Sequence, residues 1–405
     1  MRFIRTTTDL QALCDEYRAA PYVTLDTEFM RERTYWPILC LVQIARPRLP
    51  GESPEAHEAQ GAALIDPMVS EMDLAPLFGL MRDPGVLKVF HAARQDLEIF
   101  SLLGGLVPAP LMDTQVAAMV CGFGEQASYE TLARDIAGAQ VDKSLRGSDW
   151  AARPLSQRQL LYAISDVTHL RVIYEKLMAR IDKADRMEWI SEEMAALADP
   201  AQHRSDPEEA WRRIRLRNPS GPALSALREL ARWREEEAQK RNLPRGRVLK
   251  DETLAELAQL KPRNAEELGR SRAFQRDNRS SETTQAVLKA VKTGLALPKA
   301  EWPVQEEAPK LDARASALAE LLRVLLRARA ADLDVAARLM AQSADVDRLA
   351  LEEEPDVPAL RGWRREVFGE EALRLKRGEI ALTAGPQGIV VAELKDGARG
   401  RAEEG

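Results

Sequence analysis

The chain has few cysteines, no long apolar run and no excess of positive charge. Nowhere in its 405 residues do about 18 apolar residues follow one another, so no transmembrane helix is expected. Cys14, Cys40 and Cys121 lie far apart without a CxxC pair, and are expected to be reduced and buried, as in a cytoplasmic protein. The opening stretch MRFIRTTTDLQALCDEYRAA soon turns acidic and lacks a continuous apolar segment, which argues against a secretory signal. With 58 Lys and Arg against 64 Asp and Glu the net charge is -6. The whole molecule is therefore not a basic nucleic-acid binder, and affinity for a polyanion must come from a local patch.

What is present describes a soluble globular protein, 45% apolar and 30% charged, long enough for two or three domains. Up to about residue 175, strand-like and helix-like stretches mix. Strands are expected at YVTLDTEF (22–29), LCLVQIAR (39–46), AALIDP (62–67) and VLKVFHA (86–92). Between the second and third, RPRLPGESPEAHEAQG (46–61) reads as a loop. Helices are expected at DLEIFSLLGG (96–105), TQVAAMVCG (114–122), SYETLARDIAG (128–138) and SQRQLLYAISDVTHLRVIYEKLMARI (156–181), the last with Ser156 as its N-cap. This order predicts an α/β domain on one mixed sheet. After about residue 200 the strands nearly vanish, and Ala, Leu, Arg and Glu recur with helical spacing. DPAQHRSDPEE (199–209) reads as a linker and EWPVQEEAPKLD (301–312) as a separator between two helical units. GIVVAEL has too little support to be assigned as a strand, and the tail ending in ELKDGARGRAEEG is expected to be loose at its end.

The strand VTLDTEF (23–29) carries two acids, Asp26 and Glu28, two positions apart. Alternation puts Val23, Leu25, Thr27 and Phe29 on one face and Thr24, Asp26 and Glu28 on the other. By itself such a pair more often marks a solvated polar face. Two further features change that reading. In FHAARQDLEIF (90–100) a strand ends at His91, and Asp96 opens an apolar-periodic helix, a place where an acid also serves as a helix cap. In YAISDV (162–167) Tyr162 and Asp166 stand at i and i+4 on one helical face. Four carboxylates in one pocket cannot all stay charged without a countercharge. Two divalent cations, Mg²⁺ or Mn²⁺, provide it, and an ion pair about 4 Å apart suits displacement at phosphorus.

DTEF, HAARQD and YAISD resemble, in order, the three motifs of the DEDD exonuclease superfamily in its tyrosine-bearing (DEDDy) branch. The closer resemblance is to the ribonuclease D family, carried by DTEFMRERTYWPILCLVQI, HAARQD, MDTQVAA (112–118) and VDKSLRGSDWAARPLSQRQLLYAISDV (141–167). It covers about residues 1–180 and implies an RNase H-like mixed sheet flanked by helices. It also implies that Asp26, Glu28, Asp96 and Asp166 bind two divalent ions with Asp26 bridging, while Tyr162 orients or helps deprotonate the attacking water. Phe29 and Met30 are candidates for contact with the terminal base or sugar, and Phe29 is equally well placed for core packing. His91, Lys143, Arg146 and Trp150 are weaker candidates for substrate contact, since a charged loop before a helix is usually solvated.

Residues 224–262 crowd Lys240, Arg241, Arg245, Arg247 and Lys250 around a helix end and a Pro-Gly loop, after the acid run Glu235, Glu236 and Glu237. RNLPRGRVLKDE is thus the phosphate-facing candidate. From Trp233 to Asp251 the pattern W-x-x-E-x-A-x-x-x-N-x-P-x-x-x-V-x-x-D is similar to the HRDC domain. The unit at 311–378 resembles a second, less regular HRDC-like domain. The expected organisation is an exonuclease domain at 1–180, a helical linker at 181–208, two all-α HRDC-like domains at 209–290 and 311–378, and a tail at 379–405.

The resemblance implies a cytoplasmic, monomeric 3′-to-5′ exoribonuclease that acts on single-stranded 3′ ends of RNA, tRNA precursors among them. The helical modules would form a ring or funnel that admits only single-stranded ends. Two competing readings are a DNA 3′-exonuclease using the same carboxylates, and an RNA-binding scaffold with an idle metal site. The intact set of four acids and Tyr162 speaks against the scaffold.

Overall fold

A computed structural model describes residues 2–276, 280–305, 310–386 and 388–394. Six strands form one mixed sheet: β1 (Arg2–Ile4), β2 (Tyr22–Met30), β3 (Ile38–Ala45), β4 (Ala62–Ile65), β5 (Leu87–Phe90) and β6 (Leu111–Asp113), in the order β1-β4-β3-β2-β5-β6. β3 runs antiparallel to β2 and β4, whereas the β1–β4, β2–β5 and β5–β6 pairs are parallel. The strands expected from sequence are present. β1 and β6, at three residues each, are too short to show a period and gain their structure from neighbours in the sheet.

The acid-bearing strand lies centrally. Val23, Leu25 and Thr24 are fully buried, so β2 is covered on both faces. Helix α1 (Arg94–Gly104) follows β5, and the long helix α2 (Gln157–Lys183) crosses β2, β3 and β4. The Thr24 hydroxyl donates to the carbonyl of Val167 at 2.8 Å, fixing β2 against α2. Ser156 caps α2 as expected, and Gln159 completes a capping box.

Two segments differ from the sequence reading. The loop at 46–61 holds a helix, Pro54–Gln60, whose N-cap Ser53 accepts from Ala56 N–H and whose first turn starts with proline. GIVVAEL holds a whole strand: β7 (Ile380–Gly385) and β8 (Gly388–Glu393) pair as an antiparallel hairpin. Beyond Leu394 the tail lies outside the described residues, as do 306–309 of the expected separator.

The rest is helical. α3 (Gly221–Arg241), α4 (Asp251–Leu260) and α5 (Ser281–Leu295) enclose a core of their own that includes Leu227, Leu230, Leu254, Leu257, Val287 and Val291. Among the described residues, helix α6 (Ala313–Leu333) and the segments after it have no such separate core. Leu322, Leu325, Met340, Trp363 and Phe368 belong to the same buried cluster as Leu97, Met119 and Ile190 of the sheet-bearing part.

Candidate active site

Asp26 and Glu28 on β2, Asp96 in the first turn of α1 and Asp166 on α2 line one pocket of about 240 Å³. One carboxylate oxygen each from Asp26, Glu28 and Asp166 lie within 4.8 Å of one another. Asp96 stands outside that triplet, and its Oδ1 accepts from the Thr27 hydroxyl at 2.5 Å. Thr27 thus uses the strand face opposite Asp26 to hold the fourth acid. Sequence alternation had placed it with the apolar residues and assigned it no role.

The approach to α1 is held by Asp113, the acid of MDTQVAA. Its carboxylate accepts from the N–H groups of Ala92 and Ala93, at 2.9 Å each, and from Gln115 N–H at 2.8 Å. Ala92 lies in the left-handed region at φ 56°, a conformation that costs a non-glycine residue energy and needs such support. Tyr129 also lines the pocket, and its hydroxyl donates to the carbonyls of Asp166 at 2.6 Å and Ser165 at 3.1 Å. Nothing in the run SYETL distinguishes Tyr129 from an ordinary residue in a helix start.

Burial and mutual repulsion act on all four acids. Burial pushes Asp26 up to about 6. Glu28 rises to about 10, first by burial and then by the charges of Asp26, Asp166 and Asp96. Asp96 and Asp166 also lie well above the usual carboxylate range, through burial and then Asp26. Arg146, exposed but lining the pocket, is the cation that opposes the rise at Asp26, Glu28 and Asp166. One guanidinium cannot neutralise four carboxylates. Asp166 Oδ1 is also buried without a hydrogen-bond partner among the described residues. This all-oxygen donor set fits hard divalent cations such as Mg²⁺ or Mn²⁺.

Tyr162 lines the pocket with Asp166, one helical turn before it on α2. Its own pKa is driven further up, by burial and then by Asp166 and Glu28, so it stays a phenol. His91 also lines the pocket. Its Nδ1 stands 3.0 Å from the Thr114 hydroxyl, whose single proton goes to the Phe90 carbonyl, so Nδ1–H is the donor. Burial lowers the His91 pKa to about 4, leaving the ring neutral at pH 7.

The weaker candidates separate. Phe29 lines the pocket and also packs on the core. Met30 packs instead beside Cys40, Leu41 and Trp150, away from the pocket lining. Trp150 is 1% exposed, so the substrate contact expected of it is sterically closed. It backs Tyr162, with ring centroids 6.0 Å apart. Lys143 is exposed, outside the pocket lining, and pairs with Glu130 at 2.8 Å.

In the helical half, Lys240, Arg241, Arg247 and Lys250 are exposed, Arg241 with Glu237 at 3.4 Å. Arg245 corrects the sequence reading. Its guanidinium is committed to Glu235 at 2.6 Å and to the Tyr35 hydroxyl at 2.9 Å, and it stacks 4.7 Å over the Tyr35 ring. It joins the helical unit to the loop after β2. There Asn242 Oδ1 also accepts from Tyr35 N–H at 3.1 Å and Trp36 N–H at 3.0 Å. These two loop residues belong to the RERTYWP run, whose tertiary role the sequence did not reveal.

The 3′-5′ exonuclease family profile matches residues 1–182, and the HRDC domain profile matches residues 223–281. Ribonuclease D of Acidiphilium cryptum is 48% identical over 391 residues, covering 96% of this chain and 97% of that protein. Ribonuclease D of Granulibacter bethesdensis is 50% identical over 375 residues, 92% of each chain. Among solved structures, RNase D of Escherichia coli, an exoribonuclease involved in structured RNA processing, superposes with a TM-score of 0.74 at 28% identity, over 93% of this chain and 98% of that one. The chain belongs to the ribonuclease D family.

Proposed function

We propose that the chain is a 3′-to-5′ exoribonuclease that removes nucleotides one at a time as nucleoside 5′-monophosphates, with the 3′ ends of tRNA precursors as its substrates. The observation that carries the reading is the convergence of Asp26, Glu28 and Asp166, with Asp96 beside them, in a pocket of the region matched by the 3′-5′ exonuclease profile. RNA as the substrate rests on membership of the ribonuclease D family.

Asp26, Glu28, Asp96 and Asp166 would hold two divalent ions, with Asp26 shared. Bound divalent ions supply the positive charge that activates an attacking water and offsets charge developing at the phosphate. Tyr162, kept protonated by its surroundings, orients that water through its hydroxyl. Arg146 adds positive charge where the scissile phosphate enters. Phe29 and the neutral His91 form walls for the terminal nucleotide. Lys240, Arg241, Arg247 and Lys250 offer exposed charge to more distant phosphates.

In this reading one chain suffices and works in the cytoplasm; among the described residues no helix is long and apolar enough to cross a membrane. The functional division runs from a catalytic part at 1–180, through a linker at 181–208, to helical units at 209–290 and 311–378. The test is incubation of the full chain with a 3′-extended tRNA precursor and Mg²⁺ or Mn²⁺. Stepwise shortening with release of 5′-monophosphates is expected. An RNA left intact under both ions would overturn the proposal, and faster digestion of a matched DNA would move it to the deoxy substrate.

A further inference from the structure

A second cleft, of about 360 Å³, lies beside the catalytic pocket, and Gln95 belongs to the walls of both. Three parts of the chain build it. Arg31 and Arg94 come from the sheet-bearing part, Arg204 from the linker, and Arg213 and Arg245 from the first helical unit and its approach. Five guanidiniums face two carboxylates, Glu98 on the wall and the buried Glu235. Arg31 grips Glu98 at 2.7 and 2.8 Å, Arg245 holds Glu235 at 2.6 Å, and Arg213 stands 3.8 Å from Glu235. The surplus is three positive charges. Arg94 and Arg204 are exposed, and among the described residues their guanidiniums make no hydrogen bond or ion pair. In a chain of net charge -6 such a concentration is local and directional. It adjoins the pocket whose carboxylates would repel any polyanion that came without it.

We propose that this cleft binds the backbone phosphates of the nucleic acid on the 5′ side of the nucleotide being removed, with Arg94 and Arg204 as its principal contacts. Single strands are held without sequence preference by charged grooves that track the backbone, and planar guanidiniums pair with phosphate oxygens through two parallel hydrogen bonds. Gln95, next to Arg94 in the chain, lines both the cleft and the catalytic pocket, so a phosphate on Arg94 lies beside the reacting end. Arg204 lies in the linker and places a second contact outside the catalytic domain. A strand long enough to reach both is held; a dinucleotide occupies the catalytic pocket alone. The inference rests on the exonuclease reading for its direction along the strand, and on the cleft alone for binding.

The experiment compares the wild-type full chain with the Arg94→Gln/Arg204→Gln variant on a dinucleotide and on a twelve-nucleotide single-stranded RNA. For the longer RNA, KM should rise about tenfold, and the slope of log affinity against log salt should flatten by about 1.4, the loss of two phosphate contacts on a single strand. Dinucleotide hydrolysis should be unchanged. Equal effects on both RNAs, or none on the longer one, would overturn the proposal. If wild type hydrolyses neither RNA with Mg²⁺ or Mn²⁺, the exonuclease reading has failed separately. Fluorescence anisotropy of the labelled twelve-mer in EDTA then decides the cleft: tighter binding by wild type supports it, and equal binding rejects it.

Discussion

Asp26 is the charge that every other acid of the pocket responds to: it raises Glu28, Asp96 and Asp166 through direct repulsion. A site that concentrates like charge is unstable until it is loaded, so function and stability oppose each other here. Asp26→Asn should lower kcat by about 10³-fold or more while raising the melting temperature of the metal-free protein. Added Mg²⁺ should stabilise wild type and leave the variant unmoved in a thermal scan with and without EDTA; a variant that melts below wild type in EDTA would refute this.

A different acid shows the opposite sign. Arg46, 2% exposed, holds Glu52 with two bonds of 2.7 Å and lowers its pKa to about 2. A carboxylate with a depressed folded-state pKa stabilises the fold above its unfolded value, near 4.5, and loses that contribution as pH falls through about 2. Glu52→Gln should therefore cost about 2 kcal/mol at pH 7, and the gap between variant and wild type should close on acidification in denaturant titrations at a series of pH values.

Helix α2 carries both Tyr162 and Asp166, so its start governs how two site residues are aimed. The Ser156 capping box satisfies donors that the first turn otherwise leaves open. Ser156→Ala should destabilise the protein by about 1 kcal/mol, read as a shifted urea midpoint with an unchanged m-value. α2, β2 and β5 were legible in sequence because each repeats its period over enough residues, or is bounded by a recognisable cap or turn. The helix Pro54–Gln60 was not, because the Pro, Gly and Glu content of the surrounding 46–61 reads as loop and its own seven residues bury no side chain. The β7–β8 hairpin escaped for a related reason: most residues of β8 are exposed, so no buried face imposes alternation.

The two helical units relate to the catalytic part in different ways. The first has its own core and meets the sheet-bearing part through the Tyr35–Glu235–Arg245 cluster and Asn242. The second shares the catalytic part's core. Trp363 stacks on Trp189 with ring centroids 4.4 Å apart and planes 5° from parallel, and Ala336 N–H donates to the Met119 carbonyl at 2.8 Å. Arg186 spans from the Val120 carbonyl at 2.9 Å to that of Leu333 at 2.8 Å. Removing everything after the linker would therefore expose apolar surface on the catalytic part as well as delete the helical units. Trp363→Ala should destabilise the whole by about 3 kcal/mol, monitored by chemical denaturation followed through both tryptophan fluorescence and nuclease activity. Loss of the fluorescence transition without a parallel loss of activity would show that the second unit folds apart from the catalytic core.

The candidates Asp26, Glu28, Asp96, Tyr162 and Asp166 were legible in the sequence, because three short motifs stand in one order on strongly periodic elements, although none of them suffices without the others. So was the helical character of the second half, written in a repeated apolar spacing. The tertiary structure alone decided which neighbours serve those acids. Thr27 orients one of them, Asp113 holds the turn before another, and Tyr129 grips the helix that bears a third, all through hydrogen bonds between residues distant in sequence. It also buried Trp150, tied Arg245 to Glu235 and Tyr35, and gathered Arg94 and Arg204 into one cleft. Burial and the meeting of separate elements decide such roles, and neither leaves a local pattern in the chain.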